Sequence, residues 1–125
     1  MTWWIRIFKL FILIVSFSVV IGNPKMMAMA DCASILERNI GWTIIDSKTI
    51  EGWKDPGKKK EDGFEGCEHG RIIYFMDGTT VTCNCYGYHY AYMPTAIILG
   101  RSLNYKGKSI TVYKMIVEDD EYDIQ

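Results

Sequence analysis

The rhythm of apolar and polar positions changes several times along this 125-residue chain. Leu10 to Ile21, LFILIVSFSVVI, is a short uncharged run broken by Gly22, Asn23 and Pro24. Asp31 to Arg38, DCASILER, reads as one short helix, with Asp31 as its N-cap and Gly41 as its stop. From Trp42 the character turns to strand. WTIIDSKTIEGW, Trp42 to Trp53, is rich in Ile, Thr and Trp. KDPGKKKEDG, Lys54 to Gly63, reads as a solvated loop, because its Pro, Gly and charged residues leave no apolar face. RIIYF and TTVTC then flank Met76-Asp77-Gly78, and Asp-Gly between apolar runs is a strong hairpin signal. TAIILGR follows Pro94 and predicts a strand ending at Gly100. NYKGK, Asn104 to Lys108, predicts a turn, and SITVYKMIV, Ser109 to Val117, a further strand. Residues 118–125 read as an acidic tail, a solvated end. No internal repeat or low-complexity segment interrupts this order.

The hairpin allows two registers. A two-residue turn on Asp77-Gly78 pairs Met76 with Thr79. A three-residue loop with Gly78 in a bulge pairs Phe75 with Thr79. The second is preferred, because a one-residue slip moves every side chain to the other face. It puts Ile73, Phe75, Val81, Cys83 and Cys85 together and leaves Tyr74, Thr80, Thr82 and Asn84 on the other side. The fold class expected is mainly β: a small antiparallel, disulfide-stapled sheet of five to six strands. It closes into a barrel or roll of SH3-like or OB-like size, with at most one short N-terminal helix.

The N-terminus changes where this domain is expected to work. Arg6 and Lys9 precede the apolar run, and Ala28-Met29-Ala30 offers a small-residue cleavage site before Asp31. Residues 1–30 therefore read as a secretory signal peptide, cut near Ala30. Counted from Leu10 the run falls short of the roughly 20 apolar residues of a membrane span. The localisation expected is periplasmic or secreted, with membrane contact only during export. The mature domain, residues 31–125, keeps 11 basic and 15 acidic residues, a net charge of −4. That balance argues against a nucleic-acid partner, which calls for a basic patch. In the Lys58–Lys60 run, Asp55, Glu61 and Asp62 offset the charge.

All four cysteines, Cys32, Cys67, Cys83 and Cys85, fall in the mature part. An even count in a small exported domain reads as disulfides, and three pairings are possible. Cys83, Cys85, His69 and His89 form the alternative: a metal site, or a thiol-redox pair at Cys83 and Cys85. The spacing matches no finger pattern and no C-x-x-C motif. The acidic tail lacks the glycine-bearing loop that calcium favours. No G-x-S-x-G elbow surrounds Ser34, Ser47, Ser102 or Ser109, so no enzyme and no cofactor are expected.

The richest stretch is CNCYGYHYAYMP, Cys83 to Pro94. Tyr86, Tyr88, Tyr90 and Tyr92 recur with period two, which on a strand places all four phenols on one face. That face continues from Thr80, Thr82 and Asn84, with Tyr74 nearby. Tyrosine offers large rigid area with a hydroxyl handle and suits protein, peptide or glycan partners. These five tyrosines are the ligand-binding candidates of a non-enzymatic binding or structural module. The competing outcome is a bulge at Gly87 that turns the row into barrel wall.

Phe64 to Leu99 resembles a pattern found in small exported bacterial proteins. The pattern carries the GC, an F-x-D-G-T turn, a T-C, then Y-G-Y-x-Y-A-Y-x-P and an apolar strand. The resemblance covers about a third of the chain and brings no activity or ligand with it. Its cysteines match Cys67 and Cys83, which implies the pair Cys67–Cys83 and leaves Cys32–Cys85 as a second bond.

Overall fold

A helix and seven strands follow one another in a computed structural model that describes residues 32–125. The expected signal peptide and N-cap lie outside the described residues. The helix, α1, spans 32–38, and Gly41 closes its end with φ +86°. The strands are β1 (Thr43–Lys54), β2 (Glu61–Asp62), β3 (Ile72–Phe75), β4 (Thr80–Thr82), β5 (Thr95–Tyr105), β6 (Lys108–Val117) and β7 (Asp120–Ile124). All pair antiparallel, in the order β4-β3-β1-β5-β6-β7, with β2 beside β1. Ile35–Gln125 form one compact unit. No helix among the described residues is long and apolar enough to cross a membrane.

The sheet curls into a half-barrel, and alternate residues of β1, β3, β5, β6 and β7 are buried on its inner side. Cross-strand pairs build the core in layers: Ile50 opposite Phe75, Ala96 opposite Val117, Ile98 opposite Met115, and Met115 opposite Tyr122. All are buried. Each large apolar side chain removed from water in this way contributes about 1.5–3 kcal/mol. The two end strands of the sheet meet. Thr82 and Gln125 exchange both backbone hydrogen bonds at 2.9 Å, and the Asn84 N–H donates to the Asp123 carbonyl at 2.8 Å. Edges that would otherwise recruit other chains are paired there.

The hairpin takes the three-residue loop. Ile73 pairs with Val81, and the Phe75 N–H donates to the Thr79 carbonyl at 2.9 Å. Gly78 carries φ +85°, which glycine adopts without steric cost. The loop is tied down by Asp77, which accepts from the Thr79 N–H at 2.9 Å and pairs with Lys48. Those partners, Lys48 first, hold the Asp77 carboxyl far below its ordinary range.

Two expectations are corrected. Residues 118–125 are not a solvated tail: β7 occupies most of them, with Tyr122 2% and Ile124 6% exposed. Glu121 and Asp123 occupy the outward positions of a strand whose buried Tyr122 and Ile124 alternate with them, so charge density concealed a period of two. Within the charged loop 54–63, Glu61 and Asp62 pair with Trp53 and Gly52 as β2. Gly52 permits this approach; a Cβ there would lie 2.3 Å from the Glu61 carbonyl oxygen.

On the outer side, the turn after α1 contacts β6 and β7. Asn39 Nδ2 donates to Glu121 Oε1 at 2.6 Å, and Lys114 Nζ lies 4.3 Å from the Trp42 ring centroid. Leu99 and Ile116 are buried on this side.

Candidate functional site

The tyrosine segment is extended but belongs to no regular strand. Two short bridges hold it, Cys67 with Gly87 and Phe64 with Ala91. At the first, Cys67 and Gly87 exchange hydrogen bonds at 2.8 and 2.9 Å; at the second, Phe64 and Ala91 exchange two at 3.0 Å. The Cys67–Cys83 disulfide, with Cα atoms 5.5 Å apart, fastens one end. At the other end Met93 takes φ 45° and the chain turns through Pro94 into β5.

This anchoring preserves the period of two. Cys83 and Ala91 are buried, and Cys85, Gly87 and His89 are half-buried. Tyr86, Tyr88, Tyr90 and Tyr92 point outward and remain 76%, 73%, 64% and 76% exposed. Gly87 is not a bend. A Cβ on it would meet the Tyr122 ring at 3.2 Å, so glycine here admits a core aromatic. Gly66 lies on the other side of the same bridge with φ +83°, and its missing Cβ would sit 2.0 Å from the Gly87 carbonyl oxygen. Tyr122 in turn packs edge-on against Phe64, ring centroids 5.5 Å apart. The outward phenols therefore stand on a fixed inner layer. Phenols two residues apart on an extended chain are spaced by about 6.7 Å, so the row runs for roughly 20 Å.

Shallow clefts flank the row at both ends. One of about 210 Å³ lies between Tyr86, Tyr88, Glu65, Glu68 and Arg71. Another of about 490 Å³ lies between Tyr92, Met93, Met76, Glu51 and Asp62. The larger groove of about 610 Å³ is elsewhere, between Trp42, Tyr113 and Ile124. Tyr74 stands apart from the exposed row. It is half-buried, with Lys60 Nζ 4.7 Å from its ring centroid. Lys60 also donates to Glu51 at 2.8 Å, and Glu51 lines the Tyr92 cleft.

The floor of the first cleft is Arg71, a residue the sequence pattern did not single out. It is 5% exposed. Its Nε and one terminal nitrogen donate to Asp55 at 2.7 and 3.1 Å, and its other terminal nitrogen donates to the Gly66 carbonyl at 3.2 Å. The guanidinium carbon lies 3.9 Å from the Trp53 ring centroid. The hydrogen bond from Arg71 holds the Asp55 carboxyl below its usual range. Arg71 ties the 64–68 segment, which carries the row, to the end of β1. Arginine between two isoleucines and a glycine turn has no local signature, because its carboxylate partner, Asp55, comes from 16 residues away.

The Cys/His cluster does not assemble. Cys83 is consumed by Cys67, and the second expected bond, Cys32–Cys85, is absent: both thiols are free. Cys32 is exposed in the first turn of α1, whereas Cys85 packs half-buried against the core. Burial pushes the Cys85 thiol up, which suits a packed side chain better than a nucleophile. His69 is exposed in the turn where the Arg71 N–H donates back to the Glu68 carbonyl. His89 points inward, with Nε2 2.6 Å from Glu118 and Nδ1 2.9 Å from Asp120. No group of three or more His, Cys, Asp or Glu side chains arranged to hold a metal ion occurs among the described residues.

No family model, curated protein or solved structure matches this chain.

Proposed function

We propose that this is an exported, non-enzymatic binding module whose contact surface is Tyr86, Tyr88, Tyr90 and Tyr92. The observation that carries the reading is the exposure of four consecutive outward rings, 64–76%, on a segment whose inner side is fixed. Exposed aromatic rings are costly to keep in water unless a partner uses them, and rigid tyrosines lose little entropy on contact. A partner in extended form, whether a protein segment, a peptide or a glycan chain, matches a row of this length. The disulfide supports an oxidising compartment, in keeping with export.

The test is photocrosslinking from a probe placed at Tyr88 of the full chain in the exporting cell, with identification of the captured molecule. We expect one dominant adduct that disappears when Tyr86 and Tyr90 are changed to Ala while the Cys67–Cys83 bond still forms. An adduct that survives both substitutions removes the row as the contact surface.

A further inference from the structure

Between residues 101 and 112 the sheet extends beyond its core. β1 pairs with β5 only as far as Gly100, and β7 pairs with β6 only from Tyr113. What remains is a two-stranded arm, unpaired on both outer edges among the described residues. Its register sorts it into two faces. Arg101 opposes Val112, Leu103 opposes Ile110 and Tyr105 opposes Lys108 on one. Ser102 opposes Thr111 and Asn104 opposes Ser109 on the other. The arm is thus amphipathic, yet nothing among the described residues covers its apolar face: Leu103 is 37%, Ile110 43% and Tyr105 61% exposed. The face continues inward through Ile44, which opposes Leu99 and is 63% exposed. Contiguous apolar surface of this kind marks a contact site.

Charge indicates what the face meets. No acidic residue occurs between Asp77 and Glu118, a stretch that holds Arg101, Lys106, Lys108 and Lys114. The rest of residues 31–125 holds seven basic and 15 acidic residues. Lys114 is engaged by Glu121 at 3.5 Å, but no ion pair involves Arg101, Lys106 or Lys108 among the described residues. These three bracket the apolar centre, Arg101 at the base of the arm and the lysines at its tip. A second copy docking on the same face would bring like charges together. A bilayer bearing anionic headgroups satisfies both parts: aliphatic side chains enter the headgroup boundary, tyrosine sits at the interface, and long cationic side chains reach the phosphates.

We infer that the arm rests flat on an anionic lipid bilayer, its Leu103–Ile110 face against the lipid and its Ser/Asn/Thr face in water. The contact outlasts export, because it uses the folded domain. The strongly acidic remainder of the domain is repelled by the same surface, which fixes the orientation.

The test uses the full chain with methyl-labelled Leu and Ile in bicelles carrying a spin-labelled lipid, with or without phosphatidylglycerol. Reading single methyl groups separates the arm from any association through residues 1–30. Leu103 and Ile110 signals are expected to broaden in the anionic bicelles and to stay sharp in phosphatidylcholine alone, with Ile50 and Ile73 sharp in both. The Lys106→Gln/Lys108→Gln variant is expected to weaken the anionic-bicelle contact roughly 30-fold, at about fivefold per lost cation. Leu103→Ser/Ile110→Ser is expected to weaken it as well, with core signals unchanged. Equal broadening in both bicelles, unchanged arm methyls in both, or arm shifts induced by a soluble acidic peptide and not by lipid overturns the inference.

Discussion

Residues 83–92 and residues 101–112 are both extended and both alternate, but they are held in different ways. The first lays one side on the core: Cys83 and Ala91 are buried, Gly87 receives Tyr122, and a disulfide and two bridges fasten the backbone. The second is held mainly by pairing between its own two strands, with no side chain buried. A strand with one buried face gains stability from the core, whereas an isolated hairpin is marginal in water. The tyrosine row is therefore a rigid surface and the arm a compliant one, although their local patterns look alike.

Breaking the anchors of the rigid region should have the largest effects. Arg71→Met leaves Asp55 without its cation in a mostly buried setting and is expected to cost about 3–5 kcal/mol in chemical denaturation. The same pair gives an acid dependence. The folded Asp55 carboxyl titrates below its unfolded value, so its contribution is full above about pH 4 and is lost as pH falls through the folded value. A midpoint of unfolding that stays flat between pH 5 and pH 2 would contradict this. Next in size is the staple. Cys67 and Cys83 are 16 residues apart, so replacing both by Ser is expected to cost about 3 kcal/mol and to lower the melting temperature by about 15 °C.

Gly66→Ala tests the bridge beneath the row. It adds a Cβ where the Gly87 carbonyl already stands and imposes a left-handed backbone on alanine, so a loss on the order of 1–3 kcal/mol is expected in the same measurement. The compliant region should respond weakly. Leu103→Ser with Ile110→Ser is expected to change stability by less than about 1 kcal/mol, and the amides of 101–112 should exchange with deuterium well ahead of those in β3. The smallest effect belongs to the tyrosines themselves: Tyr88→Ala and Tyr90→Ala should each stay within about 0.5 kcal/mol, since the rings lie outside the core. A large loss at either position would mean that the row is a structural wall after all.

Much of this organisation was legible in the chain. The hairpin register followed from placing Ile73, Phe75, Val81 and Cys83 on one face, and all four lie on the inner side. The curled antiparallel sheet and the tyrosine periodicity followed from similar patterns. The errors have separate causes. Residues 118–125 looked solvated because five acids in six positions outweighed Tyr122 and Ile124, yet only alternate positions face the core. β5 runs past its expected end at Gly100 to Tyr105 because cross-strand hydrogen bonds continue where burial stops. Cys32–Cys85 was inferred by remainder, and a remainder carries no geometric information.

Period-two alternation and the Asp-Gly turn are local facts, and they set most of the strands and the hairpin register from sequence alone, whereas the pair Cys67–Cys83 was implied by the resemblance of residues 64–99. Whether the four tyrosines face water was decided elsewhere in the molecule: by Tyr122 from the last strand filling the space beside Gly87, by Gly66 admitting the Gly87 carbonyl, and by Arg71 gripping Asp55. Those contacts join residues 16 to 35 positions apart, and no local pattern reports them because each depends on how the curled sheet brings distant backbone together.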